Sequence, residues 1–227
     1  MKPIQFIGLA ILFVQCVSTE TKCKDWEGVS LHGNIKKVTL LEYDPIEKFG
    51  KIQKGNLRFR TETIYSENGN KIESNIYYHT DTSLEYKMIY NYDSTGNLTD
   101  ETHYQGNGDR ASKIKYILNN DRFSIITKLN YHSDSSTSKT ICEFDLNGNL
   151  TQTISFNKED SLTRTFKMKY NEKGELVQTT RHNQLDSVDS KFLYRYDNYD
   201  AKNNWIKRTV YMDDQINLIE ERRIKYQ

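Results

Sequence analysis

The sequence lacks the features of several common classes of protein. Lys and Arg total 32 and Asp and Glu total 31, so the formal net charge is only +1. This balance gives no electrostatic case for binding nucleic acid or an anionic membrane surface. Apolar residues make up only 36% of the chain. The longest apolar run, residues 4–14, is too short for a membrane-spanning helix, which needs about 20 apolar residues.

Cysteine is scarce, and the histidines are scattered. Cys23 and Cys142 follow the first eighteen residues; an oxidising compartment would permit a bridge between them, but two cysteines do not make a disulfide framework. Cys142 is predicted to be a small apolar strand residue. The histidines are never spaced as metal ligands, so we interpret them as solvated or rim residues. No histidine lies in a nucleophile context beside either thiol, and we predict no catalytic residue, metal or cofactor.

Alanine is almost absent after Ser18, where only Ala111 and Ala201 occur, whereas tyrosine appears 16 times in the chain. Threonine and isoleucine are also plentiful. This mixture disfavours helix and suits a half-buried pleated surface. We therefore predict a single all-β domain over residues 31–227, with almost no helix.

The first eighteen residues have the pattern of an export signal: one lysine, an apolar run, then small and polar residues. Cys16 resembles the lipid-accepting cysteine of bacterial lipoproteins, although Gln15 and Phe13 depart from that pattern. The alternative is ordinary cleavage after Ser18. Both interpretations place the mature chain in the periplasm, on the outer membrane or outside the cell. Residues 19–30 are predicted to be a mobile leader.

A repeat of about 26 residues is visible in two interleaved series of turns. Gly69, Gly96, Gly148 and Gly174 are separated by 27, 52 and 26 residues, so a worn copy is expected near residue 122. A later copy has Asn203 in place of the glycine. The second series is predicted to form looser connections and contains Asp81, Asp109, Asp134, Asp160, Asp186 and Asp213. Two series with one period predict one hairpin per repeat.

The first series has a specific turn chemistry. In residues 93–96, Asp93 suits the first position of a type I turn and Gly96 the left-handed position that follows it. Asp145 to Gly148 has the same pattern. Residues 145–149 are also similar to the start of an EF-hand loop, but Phe156 stands where the twelfth residue should be an acid. A plain hairpin turn is the favoured interpretation.

Alternating aromatic residues precede each turn, and an apolar residue and a ring follow it. We predict about 12 or 13 strands in an antiparallel up-and-down meander of about six hairpins. Because so wide a sheet cannot stay flat, it should be a curled or partly closed single sheet with a concave aromatic face. The candidate binding residues on that face are Tyr90, Tyr92, Tyr104, Phe144, Phe156, Met168, Tyr170, Tyr194 and Tyr196.

One phrase begins with Tyr92 and Asp93, continues through Gly96 and Leu98 and ends at Tyr104. This phrase resembles the tyrosine-aspartate repeat of the RHS family. The chain is also similar to secreted or lipid-anchored repeat proteins of Bacteroidetes. The resemblance implies a spiralling sheet of hairpins and a location in the cell envelope. It implies no catalytic residue.

Three functions are compatible with these predictions. The favoured one is a non-enzymatic envelope protein whose sheet is a binding or scaffolding surface for glycan, peptide or protein. The alternative is a half-barrel carrier that holds an apolar ligand such as an acyl chain, or another lipid, on its concave aromatic face. A hydrolase of envelope polymers is less favoured, because no acid and base residues can be named. Membrane contact is expected only through an N-terminal lipid anchor.

Overall fold

The computed structural model describes residues 31–79, 83–118, 124–131 and 137–227, with the backbone alone for 118, 124–131 and 137. The described residues form strands and turns without helix, as predicted. The strands are β1 (Ile35–Lys48), β2 (Lys51–Tyr65), β3 (Lys71–Tyr78), β4 (Leu84–Tyr92), β5 (Leu98–Gln105), β6 (Arg110–Leu118), β7 (Ser124–Tyr131), β8 (Thr137–Phe144), β9 (Leu150–Phe156), β10 (Leu162–Tyr170), β11 (Leu176–His182), β12 (Val188–Tyr199), β13 (Trp205–Met212) and β14 (Gln215–Tyr226).

These strands form one antiparallel meander, which confirms the predicted fold class. Each strand pairs with its neighbours in sequence, and β1 also pairs with β14, so the strands form a closed ring. Closure leaves no unpaired edge strand. The fourteen strands exceed the predicted number because β1 and β2, of 14 and 15 residues, form a complete hairpin.

The glycine turns have the predicted geometry. Gly96 has φ 79° and donates its backbone N–H to the carbonyl of Asp93 at 2.9 Å. The Asp93 carboxylate accepts the backbone N–H groups of Thr95 and Asn97. The Thr95 hydroxyl also donates to this carboxylate, and its bond contributes most, with the backbone bonds, to lowering the pKa of Asp93 to about 2. The same bonds recur at Asp145, and Asn203 takes the glycine position with φ 63°.

The second series of turns is tighter than predicted. Asn157 and Asn183 accept backbone N–H groups through their side chains, as the aspartates do at the glycine turns. Asp160 and Asp186 themselves take the left-handed position, with φ 55° and 56°. Asp and Asn tolerate this conformation better than most residues, so both series make compact hairpins. The predicted turns at Asp81, at Asp134 and near residue 122 lie outside the described residues.

The ring has two chemically different faces. The inner face contains two hydrophobic clusters of described residues: one near Ile35 and Tyr65, and a larger one around Cys142. The outer face contains cross-strand ion pairs between β1 and β2, β3 and β4, and β5 and β6. These pairs are Lys37–Glu62, Lys87–Glu73 and Lys113–Asp100, at 2.7 to 3.0 Å.

The β1–β2 hairpin extends beyond the rest of the ring. Past Tyr43 and Phe59 its two strands pair only with each other, and we call residues 44–57 the hairpin arm. Lys54 reaches Glu221 on the outer face of β14 at 2.9 Å. At the tip, Phe49 is 99% exposed. The arm therefore bends against the outside of the ring.

Some predictions on cysteine and histidine are resolved by the packing. Cys142 is fully buried as a free thiol among apolar side chains, and burial raises its pKa to about 12. His182 lies at the end of β11 but is buried, so describing it as solvated was wrong. Its ring contacts the carbonyl of Asp186 at 3.1 Å and the hydroxyl of Thr180 at 3.1 Å. Cys16, Cys23 and the predicted signal and leader lie outside the described residues.

Within the part of the chain that the structure describes, we find no helix that is both long and apolar enough to cross a membrane.

Candidate functional site

The inner face of the ring contains two adjoining clusters of different chemistry. The first, which we call the apolar cluster, is built on strands β8 to β12 and on the turns between them. Its buried members lie at inward positions of β8 and β10 or directly follow a glycine turn. They are Cys142, Leu150, Phe166, Met168 and Leu176, and the side chains of Phe144, Tyr170 and Tyr194 pack against them.

Tyrosine hydroxyl groups stabilise the apolar cluster at the glycine-turn end of the ring. Tyr170 donates its hydroxyl to the carbonyl of Leu150 at 2.9 Å, and Tyr196 donates to the carbonyl of Leu176 at 2.8 Å. Each bond joins a ring to the leucine that follows the preceding glycine turn. Burial raises the pKa of both tyrosines, so both hydroxyls remain protonated donors at neutral pH. The hydroxyl of each tyrosine therefore has a hydrogen-bond partner, while the apolar part of its ring lines the interior.

The second cluster, which we call the arginine cluster, consists of Glu42, Trp205, Arg208, Glu220 and Arg222. Register places Arg208 opposite Glu220, and Glu220 opposite Glu42, across β13, β14 and β1. Arg208 donates a short hydrogen bond to Glu220, and these two side chains are among the most buried charged groups of the chain. Both guanidinium groups contact Trp205, at 4.4 Å (Arg208) and 3.6 Å (Arg222) from its ring centroid.

The electrostatics of this cluster depend on burial. The pKa of Glu42 is raised to about 7, first by burial and then by repulsion from Glu220. The pKa of Arg208 is raised, because attraction to Glu220 outweighs the cost of burial. Arg222 lacks such a partner, and burial together with Arg208 lowers its pKa to about 9. The cluster therefore contains one well-paired arginine and one poorly compensated arginine.

A smaller polar group lies elsewhere on the inner face. His103 contacts the buried carboxylate of Glu101 at 2.8 Å. Tyr116 is nearby. Burial raises the pKa of its hydroxyl, and repulsion from the Glu101 charge raises it further. The group is a chain of hydrogen bonds within the wall of the ring. Among the described residues, no set of three or more His, Cys, Asp or Glu side chains is arranged to hold a metal ion.

Most of the predicted aromatic face lies on the inner wall, in or beside the apolar cluster. Met168 is buried, while the rings at the other inner positions are half-buried. The binding role of these residues remains a prediction. The inner members are Tyr90, Tyr92, Phe144, Met168, Tyr170, Tyr194 and Tyr196.

Tyr104 and Phe156 correct the predicted face, because both lie on the outer wall. Tyr104 is opposite Lys87, and the Lys139 ammonium lies 4.7 Å from the centroid of the Phe156 ring. The cause is a bulge directly after each glycine turn, seen as a register shift between Asn91 and Tyr92 and again in the β8–β9 pair. One extra residue reverses which side chains face inward for the rest of the strand.

The arginine cluster was missed in the sequence, although the repeat indicates it. Inner positions recur every 26 residues, and Glu220 occupies the position equivalent to Met168 and Tyr194. Arg222 likewise follows Tyr170 and Tyr196 in its own series. A charged residue in an aromatic series was the available signal. The partner Glu42 comes from the other end of the chain and could not be assigned without the β1–β14 pairing.

A groove of about 290 Å³ lies on the outer wall, where the hairpin arm approaches β12 to β14. Three of its polar side chains are already paired with one another, because Asp197 accepts hydrogen bonds from Arg195 at 3.1 Å and Thr209 at 2.8 Å. We regard the inner face as the better candidate site. The groove is lined by Ile52, Arg195, Asp197, Lys207, Thr209, Ile216 and Ile219.

Comparison with known proteins yields a partial match to one family. A family model described as a protein of unknown function (DUF2963) matches residues 131–181. The matched segment includes β8, β9 and β10 and most of β11, which is less than half of the chain. No curated protein matches the sequence significantly.

Solved structures show distant similarity. A porin-like protein from Bacteroides uniformis is 10% identical with a TM-score of 0.35, over 84% of this chain and 96% of that chain. A DUF1329 family protein from Desulfovibrio piger is 11% identical with a TM-score of 0.36, over 85% of this chain and 86% of that chain. The Photorhabdus luminescens Tc holotoxin pore is 10% identical with a TM-score of 0.24, over 74% of this chain and 12% of that chain. Similarities this weak establish neither family nor function.

Proposed function

We propose that this chain is an exported, non-enzymatic carrier that holds an apolar ligand, such as an acyl chain, inside the ring. The observation that supports the carrier over a surface scaffold is the direction of the aromatic face. The rings of Tyr90, Tyr170 and Tyr194 point to the inside of a closed sheet rather than to the outer surface.

The width of the ring supports the same proposal. About eight strands make a barrel that side chains can just fill, and about 16 to 18 leave an aqueous channel. The fourteen strands of this chain lie between these limits. The inward rings of Tyr92, Phe144 and Tyr196 are only half-buried, which is the condition expected of a wall that a ligand completes.

A pair of tryptophan substitutions on β9 tests the location. Ser155 lies on the inner wall opposite Thr140, and Gln152 lies on the outer wall of the same strand. Ser155→Trp should reduce binding of dodecanoic acid by about tenfold or more, because the indole occupies the ligand's volume. Gln152→Trp should leave binding unchanged. Native mass spectrometry gives the stoichiometry, and titration calorimetry gives the affinity.

Two results would contradict the proposal. Wild-type protein that binds neither dodecanoic acid nor dodecanol is not a carrier of this kind. Unchanged affinity in folded Ser155→Trp would place the ligand outside the ring. Circular dichroism of both variants separates loss of binding from loss of fold.

The Glu42–Glu220 pair favours a second candidate, a hydrolase. Two neighbouring carboxyl groups in one site are an arrangement that acid and base catalysis uses. Burial and Glu220 raise the pKa of Glu42 to about 7, which suits a general acid. Release of nitrophenol from aryl glycosides or esters by wild-type protein, lost in Glu42→Gln, would establish this activity. Equal release by Glu42→Gln would exclude Glu42 as the acid.

A further inference from the structure

Arg222 has an unmet requirement for a negative partner. Its guanidinium stacks on Trp205, with 3.6 Å between the guanidinium carbon and the ring centroid. The Nη1 atom is buried, and none of the described residues accepts a hydrogen bond from it. A guanidinium has five N–H donors, and a buried charge without a partner costs several kcal/mol. A folded chain seldom retains such a group unless something else satisfies it.

The carboxylates nearby do not supply that partner. Glu220 is directly opposite Arg208 in register and accepts its hydrogen bond. Glu42 has a pKa raised to about 7, so at neutral pH it provides only part of a charge. With two arginines and effectively one dedicated carboxylate, the arginine cluster has an excess of positive charge on the inner face.

The arginine cluster is continuous with the apolar cluster. The Arg208 guanidinium lies 4.8 Å from the centroid of Tyr194, and Tyr194 packs against the apolar cluster. Trp205 also contacts Tyr196 edge-on, with 5.8 Å between ring centroids. An apolar wall that leads to a poorly compensated cation matches the two ends of an amphipathic molecule.

We propose that Arg222 binds the anionic head, a carboxylate or a phosphate, of an acyl ligand whose chain lies along the apolar cluster. This inference rests on the carrier function proposed above and adds the chemical class of the head group. The head accepts the free N–H groups of Arg222, which form charge-assisted bonds with an oxyanion. Trp205 holds the guanidinium in position by stacking, with 3.6 Å between the guanidinium carbon and the ring centroid.

Titration calorimetry with three ligands of equal chain length tests the proposal: dodecanoic acid, dodecyl phosphate and 1-dodecanol. Wild-type protein should bind at least one of the two anions about 10- to 100-fold more tightly than the alcohol, the size of a charged hydrogen bond in a buried site. A tighter carboxylate would support a fatty acid as the ligand. A tighter phosphate would support a phospholipid.

The variant Arg222→Met removes the charge and retains a long apolar side chain. It should bind the anions no more tightly than the alcohol, while its affinity for the alcohol stays at the wild-type level. Arg223→Met is the matched control, because Arg223 is the next residue on the exposed outer wall, and it should keep the wild-type preference. Arg222→Gln is a second variant that removes the charge, if Arg222→Met does not fold.

The failures of the two proposals are distinguishable. Equal affinity of wild-type protein for dodecanol and both anions would overturn the role of Arg222 but leave the carrier intact. Preference for an anion that persists in Arg222→Met and Arg222→Gln would also overturn it. Absence of binding for all three ligands would overturn the carrier itself.

Discussion

The inner face of this protein has two arcs with the same backbone and opposite chemistry. Along β8 to β11 the inward positions hold residues such as Cys142, Phe166 and Met168. In β13, β14 and β1 they include Arg208, Glu220 and Glu42. The turn between β12 and β13 repeats the hydrogen bonds of the glycine turns in the first arc, so the same backbone geometry is compatible with different inward residues.

The two arcs also differ in how much their inward residues stabilise the fold. Apolar burial in the first arc stabilises the fold directly. A buried ion pair seldom stabilises a protein more than apolar residues of similar volume would, because desolvation offsets the attraction between the charges. The inward charges of the second arc therefore contribute less to stability than the apolar residues of the first, which agrees with the binding role proposed for them.

The largest effect is expected from Arg208→Met. Removing this guanidinium leaves Glu220 buried beside Glu42 without its partner. We expect a loss of about 3 to 5 kcal/mol in the free energy of unfolding, measured by urea denaturation. The double variant Arg208→Met/Glu220→Met should recover most of the loss. If the double variant is no more stable than the single one, the ion pair itself stabilises the fold and the contrast between the arcs is wrong.

In the apolar arc, Phe166→Ala should cost about 3 kcal/mol, because it removes a buried ring and leaves a cavity. Lys167→Ala, the next residue on the outer wall, should change stability by less than about 0.5 kcal/mol. Urea denaturation of both variants measures the difference. Similar values for the two would mean that the interior is not packed around Phe166.

Glu42→Gln should stabilise the protein at alkaline pH. The folded state raises the pKa of Glu42 from 4.5 to about 7, so the folded protein binds more protons than the unfolded chain between these values. Wild-type stability therefore falls as pH rises from 4.5 to 7, and the glutamine variant avoids this loss. We expect a gain of about 1 to 3 kcal/mol at pH 8 and little difference at pH 4. A gain that does not depend on pH would show that the carboxyl is not the cause.

The smallest loss of stability is expected from substitutions at the turn geometry that both arcs contain. Gly148 has φ 79°, a conformation that disfavours a Cβ atom. Gly148→Ala should cost about 1 to 2 kcal/mol. Asn203→Gly, at the equivalent turn of the charged arc, should change stability by less than about 0.5 kcal/mol, because asparagine already tolerates that conformation. Thermal denaturation of both variants compares the turns, and a larger loss at Asn203 would mean that its side chain has a structural role of its own.

Local chemistry made much of the fold predictable. The left-handed positions at Gly96 and Asn203, the hairpin period and the absence of helix all depend on residues close together in the chain. The face of Tyr104 and Phe156 was not predictable in the same way, because a single bulge after the turn reverses the alternation. The likeness to RHS repeats, and the cell-envelope location that it implies, stay predictions.

The sequence by itself determined an all-β meander of hairpins with an aromatic face, because turn geometry and strand alternation are set by neighbouring residues. Only the tertiary structure decided that the sheet closes, since closure depends on pairing β1 with β14 from opposite ends of the chain. That same pairing brings Glu42 beside Glu220 and creates the arginine cluster. Long-range register therefore decided both where the aromatic face points and which charge on it lacks a partner.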